Sequence, residues 1–153
     1  MRKDFRPKEV YQYSRYCRRV KTAFITGITG QDGAYLARYL LYKGYNVYGY
    51  VRRTTAKDHF WKLRELDILD RIHLVDGDIT DHTTLTNAIN KVQPDEIYHL
   101  AAQSFVGLSF NQPIDSFTTN TLPTITILDY IKNHNKSIKF YFAGTSEMFG
   151  RNG

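Results

Sequence analysis

The feature that most constrains this chain is a heptapeptide, Gly27, Ile28, Thr29, Gly30, Gln31, Asp32 and Gly33, set directly after a β-prone run and directly before a segment of helical period. The run before it, Lys21–Thr26 (KTAFIT), reads as a strand. The segment after it, Ala34–Lys43, puts Leu36, Tyr39 and Leu40 on one helical face, and Gly44 ends it. Glycines at such a junction let the backbone turn sharply and approach a ligand closely. The amides that open the helix, together with its positive end, suit an anion, and a pyrophosphate in particular. The spacing is GxxGxxG, not the simpler GxGxxG, so its weight comes from the strand, loop and helix order around it.

Downstream, the same alternation continues. Tyr45–Val51 reads as a second strand, His59–Leu69 as a helix carrying Phe60, Leu63 and Leu66, and Arg71–Val75 as a third strand. Thr83–Gln93 has Leu85, Ala88, Ile89 and Val92 at helical spacing, Pro94 stops it, and Glu96–Leu100 is a fourth strand. Asp115–Asn133 repeats the helical pattern around Pro123, where the helix either begins near Thr121 or bends. Ser137–Ala143 is the last strand. Strands separated by helices, without hairpin signals, predict an α/β fold: a doubly wound, Rossmann-like parallel sheet with right-handed crossovers.

If the sheet is doubly wound, several strand ends converge on one crevice. Arg52 and Arg53 stand after the second strand, where an acidic residue would favour an unphosphorylated adenosine ribose. Guanidinium groups there instead suit a 2′-phosphate, which points to NADP. Asp78 and Ile79 follow the third strand, where they can flank an adenine. Leu100, Ala101, Ala102, Gln103 and Ser104 follow the fourth, with alanines small enough to let a ligand lie against the backbone. After the fifth come Thr145 and Glu147, either a hydrogen-bond donor and a general base or simply the cap and first turn of a further helix.

Charge and composition remove other classes. Residues 1–20 carry seven basic against two acidic side chains, leaving +5 of the chain's +6, so the globular part is nearly neutral and nucleic-acid binding is not expected of it. The tyrosines among those arginines leave stacking on RNA as a rival expectation, one that predicts strongly salt-dependent affinity. The chain therefore divides into a basic extension, 1–20, and a globular part, 21–153. A single cysteine, Cys17, offers no internal disulfide, which makes the cytoplasm the default setting. Apolar runs are too short for a membrane span. His59, His73, His82, His99 and His134 never fall into metal-binding spacing, and Trp61 is expected in a core or a lid.

The words TGITGQDGAYLARYLLYKGYNVYGYVRR, DGDIT, QPDEIYHLAAQSFVGLSFNQP and FYFAGTSEMFG resemble the extended short-chain dehydrogenase/reductases, and within them the GDP-mannose 4,6-dehydratases. The resemblance implies that Gly27–Asp32 meet the cofactor pyrophosphate, Arg52, Arg53, Thr54 and Thr55 the 2′-phosphate, Asp78 and Ile79 the adenine, and Leu100–Ser104 the nicotinamide half. It implies that Thr145 holds the sugar 4-hydroxyl and Glu147 acts as base, on GDP-mannose or a related nucleotide sugar. The family's YxxxK pair and its substrate domain would lie beyond Gly153, so the expectation for residues 1–153 alone is an incomplete, inactive Rossmann-like unit with an unfinished sheet edge. Asp115 stands where relatives often carry a tyrosine near the cofactor. A related epimerase or reductase and a non-catalytic NADP-binding module are the alternatives, and homo-oligomerisation stays open.

Overall fold

The computed structural model describes residues 19–54, 58–144 and 150. Its strands are β1 (Thr22–Thr26), β2 (Asn46–Val51), β3 (His73–Asp76), β4 (Glu96–His99) and β5 (Lys139–Phe142). They form one sheet in the order β3-β2-β1-β4-β5, and every pairing is parallel. The chain winds outward from β1 to β3 and then crosses back to place β4 on the other side of β1. The strand order therefore reverses between β1 and β4, and the ends of these two strands diverge around a crevice.

Period-two alternation assigns the strand residues to two cores. Ala23 and Ile25 join Val47, Val51 and Leu63 under α1 (Gln31–Tyr42) and α2 (Trp61–Glu65). Phe24 faces the other way, toward Tyr50, Ile97 and the helices α3 (His82–Val92) and α5 (Pro113–His134), which contribute Leu85, Ile89, Ile127 and Tyr130. Helix ends follow local chemistry. Gly44, at φ +81°, closes α1 with the Gly44 and Tyr45 amides donating to Leu41 and Leu40, a Schellman arrangement. Asp81 caps α3 by accepting from the Thr83 and Thr84 amides at 2.9 and 3.1 Å.

Three expectations are corrected. The helix expected over His59–Leu69 is only Trp61–Glu65, because Asp67 takes φ +53° and the chain continues as a 3-10 turn, Leu69–Arg71. Trp61 is 49% exposed and so is not a core residue; its ring faces the Lys62 ammonium instead. The helix around Pro123 does not begin near Thr121: α5 starts at Pro113, with Pro123 buried inside it. Pro113 costs no hydrogen bond in a first turn, and Pro123 gives up one while burying its ring. A short helix, α4 (Val106–Asn111), has no counterpart in the sequence expectation. β5 lies at the sheet edge, with Tyr141 and Phe142 about half exposed. Among the described residues no helix is long and apolar enough to cross a membrane, and no group of three metal-ligating side chains occurs.

Candidate functional site

The crevice at the β1/β4 reversal has a volume of about 660 Å³, within the range of small-molecule sites. Gly27, Thr29 and Gly30 form one wall, Arg52, Asp78 and Ile79 one end, and Leu100, Ala101, Ala102, Gln103 and Ser104 the opposite wall. Residues from four separate strand ends thus meet at the place where a ligand of an open α/β sheet sits.

Close approach of the β1 and β4 exits demands glycine at Gly27. Its φ is +73°, and a Cβ there would lie 2.8 Å from the Ala101 nitrogen and 2.9 Å from the Leu100 carbonyl carbon. Gly33 is under the loop, not on the crevice wall: a Cβ there would come within 2.7 Å of Ile28 Cα and closer still to the Gly27 carbonyl oxygen. Ile28 corrects an expectation. Its side chain is fully buried and fills the space over Gly49, so only its backbone belongs to the loop surface. Gln31 opens α1 and lines a separate hollow of about 360 Å³ with Tyr35 and Trp61, while Asp32 sits beside it in the first turn. Arg53 and Thr54 continue past β2 without lining the crevice. Thr55, Thr145 and Glu147 lie outside the described residues.

Beneath the crevice, Thr26 ties the two strand exits together. Its buried Oγ1 accepts from the Leu100 and Ala101 amides at 3.2 and 3.1 Å, and lies 2.8 Å from His99 Nδ1. With both lone pairs engaged, the hydroxyl hydrogen is left for Nδ1, which makes His99 a neutral imidazole protonated at Nε2. That Nε2 is buried and has no partner among the described residues. Burial pushes the His99 pKa down to about 4, and the ring stacks against Phe140 and Phe142.

At the other end, Asp78 Oδ1 accepts from the Thr80 amide at 2.9 Å and the Thr80 hydroxyl at 2.7 Å. These two bonds, backbone first, hold its carboxyl below the usual range against the opposing effect of burial, with a lesser contribution from the charge of Arg52. The crevice also recruits residues the sequence reading passed over as ligand contacts: Tyr50, Gly77, Thr80 and Thr119. Tyr50 was legible only as an alternating strand residue, yet its hydroxyl donates to the Asp78 carbonyl at 3.1 Å and lies 3.1 Å from Thr84 Oγ1. It occupies the space that a side chain at residue 77 would need. Asp115 also lines the crevice and has no partner among the described residues.

A parallel sheet of this order with a glycine loop at its reversal defines a Rossmann-like α/β unit. Solved structures agree with that class. The Bordetella bronchiseptica enzyme WbmH, in complex with NAD+, is 28% identical and superposes with a TM-score of 0.68, over 86% of this chain and 41% of that one. Sequence comparison narrows it further. The family profile described as GDP-mannose 4,6 dehydratase matches residues 24–153. Among curated relatives, the Cricetulus griseus GDP-mannose 4,6 dehydratase is 45% identical over 138 residues, which is 86% of this chain and 37% of that protein. The Vibrio cholerae GDP-mannose 4,6-dehydratase is also 45% identical over 138 residues, covering 85% of this chain and 36% of its own. The chain belongs to the GDP-mannose 4,6-dehydratase family, and it spans little more than a third of the length of these relatives.

Proposed function

We propose that residues 21–153 are the NADP-binding part of an enzyme that converts GDP-mannose to GDP-4-keto-6-deoxy-mannose, with residues 1–20 a basic extension. The observation that carries the cofactor half is the conjunction of the glycine loop with Arg52 on one crevice. A guanidinium at the β2 end suits a 2′-phosphate, and the residue that follows β2 directly is this arginine, where a carboxylate would repel it. The relatives' names support the sugar half. A single cysteine supports a cytoplasmic setting.

The residues present fit such a group. Gly27, Thr29 and Gly30 leave room for a pyrophosphate against bare backbone, Ile79 offers an apolar contact to a base, and the small side chains of Ala101 and Ala102 allow a flat ring to lie close. When bound, NADP would supply a hydride acceptor for sugar C4 and return that hydride to C6, emerging unchanged. By family resemblance, Thr145 holds the 4-hydroxyl. A 4-keto group acidifies the C5–H bond, so Glu147 can take that proton and hand it to the departing C6 hydroxyl, which leaves as water. Arg52 fixes the adenosine end, which lets binding energy far from the sugar orient the reacting carbons.

Titration calorimetry with NADP and NAD tests this reading. NADP binds the more tightly, and Arg52→Ala costs about 2 kcal/mol, roughly 30-fold, in NADP affinity while leaving NAD within about twofold. Absence of binding by either nucleotide, or a preference for NAD in the unaltered chain, overturns it.

A further inference from the structure

We propose that Asn120 is a positioning residue that sets the crevice wall at its nicotinamide end. The proposal rests on the reading above. Asn120 Oδ1 accepts the Gln103 amide at 2.7 Å, and Asn120 Nδ2 donates to the Gln103 carbonyl at 3.1 Å. One side-chain amide therefore satisfies both backbone groups of a residue seventeen positions away, as a neighbouring strand would. Among the described residues, these are the only bonds of the Gln103 backbone.

The consequence follows from where Gln103 sits. Residues 100–104 belong to no helix or strand, yet they line the crevice. Their beginning is anchored by Thr26, through the Leu100 and Ala101 amides. Without a second anchor, Ala102 to Ser104 would be free to swing across the space where a ring must lie. Asn120 supplies that anchor from α5, a helix of 22 residues held by buried Ser116, Pro123, Ile127 and Tyr130. Thr119, its neighbour on the helix, lines the same crevice. Among the described residues the only other tie within the segment is the Gln103 side-chain amide donating to the Phe105 carbonyl at 3.2 Å, so the clamp fastens the loop to a long helix, and its effect on a ligand is confined to the part of the ligand that this loop touches.

Dissecting the ligand separates this role from a general structural one. The full chain and its Asn120→Leu variant are titrated with NADP and with 2′-phospho-ADP-ribose, which keeps the adenosine, both ribose-linked phosphates and the 2′-phosphate but lacks the nicotinamide. The expected result is about a tenfold loss of NADP affinity and a change of less than about twofold for 2′-phospho-ADP-ribose. Asn120→Ala removes both bonds without adding bulk, so it shows the same split at about tenfold and serves if the leucine variant does not fold. Equal losses for both ligands, or none for either, overturn the proposal while leaving the proposed function standing. If the unaltered chain binds neither ligand, the proposed function falls and takes this inference with it.

Discussion

The two edges of the sheet handle polar groups in opposite ways. At the amino-terminal edge, Glu96 is 8% exposed and accepts from Tyr98 Oη at 2.8 Å, Lys21 Nζ at 3.0 Å and Tyr45 Oη at 3.3 Å. Burial alone would raise its carboxyl pKa, but those three partners together hold it below the ordinary value. Tyr98 is pushed up in turn, by burial first and by Glu96 second. Asp95 beside it accepts the Thr22 amide at 2.8 Å and pairs with Arg19. At the carboxyl edge, by contrast, Arg52 and Asp115 form no ion pair among the described residues, and His99 Nε2 and Gln103 Oε1 are buried without a partner. Native proteins pair nearly all their buried polar groups. One edge is therefore closed on itself and contributes stability, whereas the other keeps polar capacity unspent around an open crevice.

Three changes break or sharpen that contrast. The largest effect is expected at Gly33, where a methyl group would run into the backbone of Gly27 and Ile28, which cannot yield cheaply. Gly33→Ala should lower stability by on the order of 3 kcal/mol, read from thermal or denaturant unfolding, and should separate the glycine loop from α1. A Tm within a degree or two of the unaltered chain would show that the loop is looser than its geometry implies.

Acid comes next. His99 is neutral when folded and takes a proton only near pH 4, whereas the unfolded chain takes it near 6.5. Between those values the unfolded state binds more protons, so the contribution from His99 is complete above about pH 6.5 and declines as pH falls toward 4, by about 3 kcal/mol in all. His99→Asn keeps an acceptor for the Thr26 hydroxyl without a titrating ring. Its unfolding free energy should vary less with pH across that window, and parallel pH profiles for the two proteins would refute the assignment.

The smallest effect is expected at the closed edge. Tyr98→Phe removes one of the three donors to Glu96 and should cost about 1 kcal/mol of stability. Because this cluster sits at the far end of the strands from the crevice, NADP affinity should be unchanged. A matched loss of affinity would mean that the two edges communicate.

Much of the sheet was legible because each strand announces itself locally. KTAFIT alternates the two cores within five residues, and Gly44, Asp81 and Pro94 mark helix ends through φ angle, side-chain capping and a missing amide. Local cues misled where two of them disagreed. Phe60, Leu63 and Leu66 keep helical spacing, but Asp67 takes a left-handed conformation, and α2 is one turn long. Pro123 allowed a helix start near Thr121, whereas the helix begins at Pro113 and carries Pro123 on its buried face. The glycine loop, Arg52, Asp78 with Ile79 and the alanines after β4 could be placed on strand ends from sequence because a doubly wound sheet gathers such ends at one rim. Ile28 could not be told from its loop neighbours, since whether a side chain points into the crevice or into the core depends on what lies across the sheet, here Gly49.

What the sequence determined by itself is the order of elements, the site of the phosphate-type loop and the family, all written in runs of a few adjacent residues whose chemistry acts locally. What only the tertiary structure decided are the partnerships between distant residues: Thr26 with His99 and Ala101, Tyr50 with Asp78, Asn120 with Gln103. Each depends on a side chain of one segment reaching a group on a distant segment at hydrogen-bond distance, through strand pairing or helix packing, and such proximity is a property of the assembled fold that no single stretch of chain encodes.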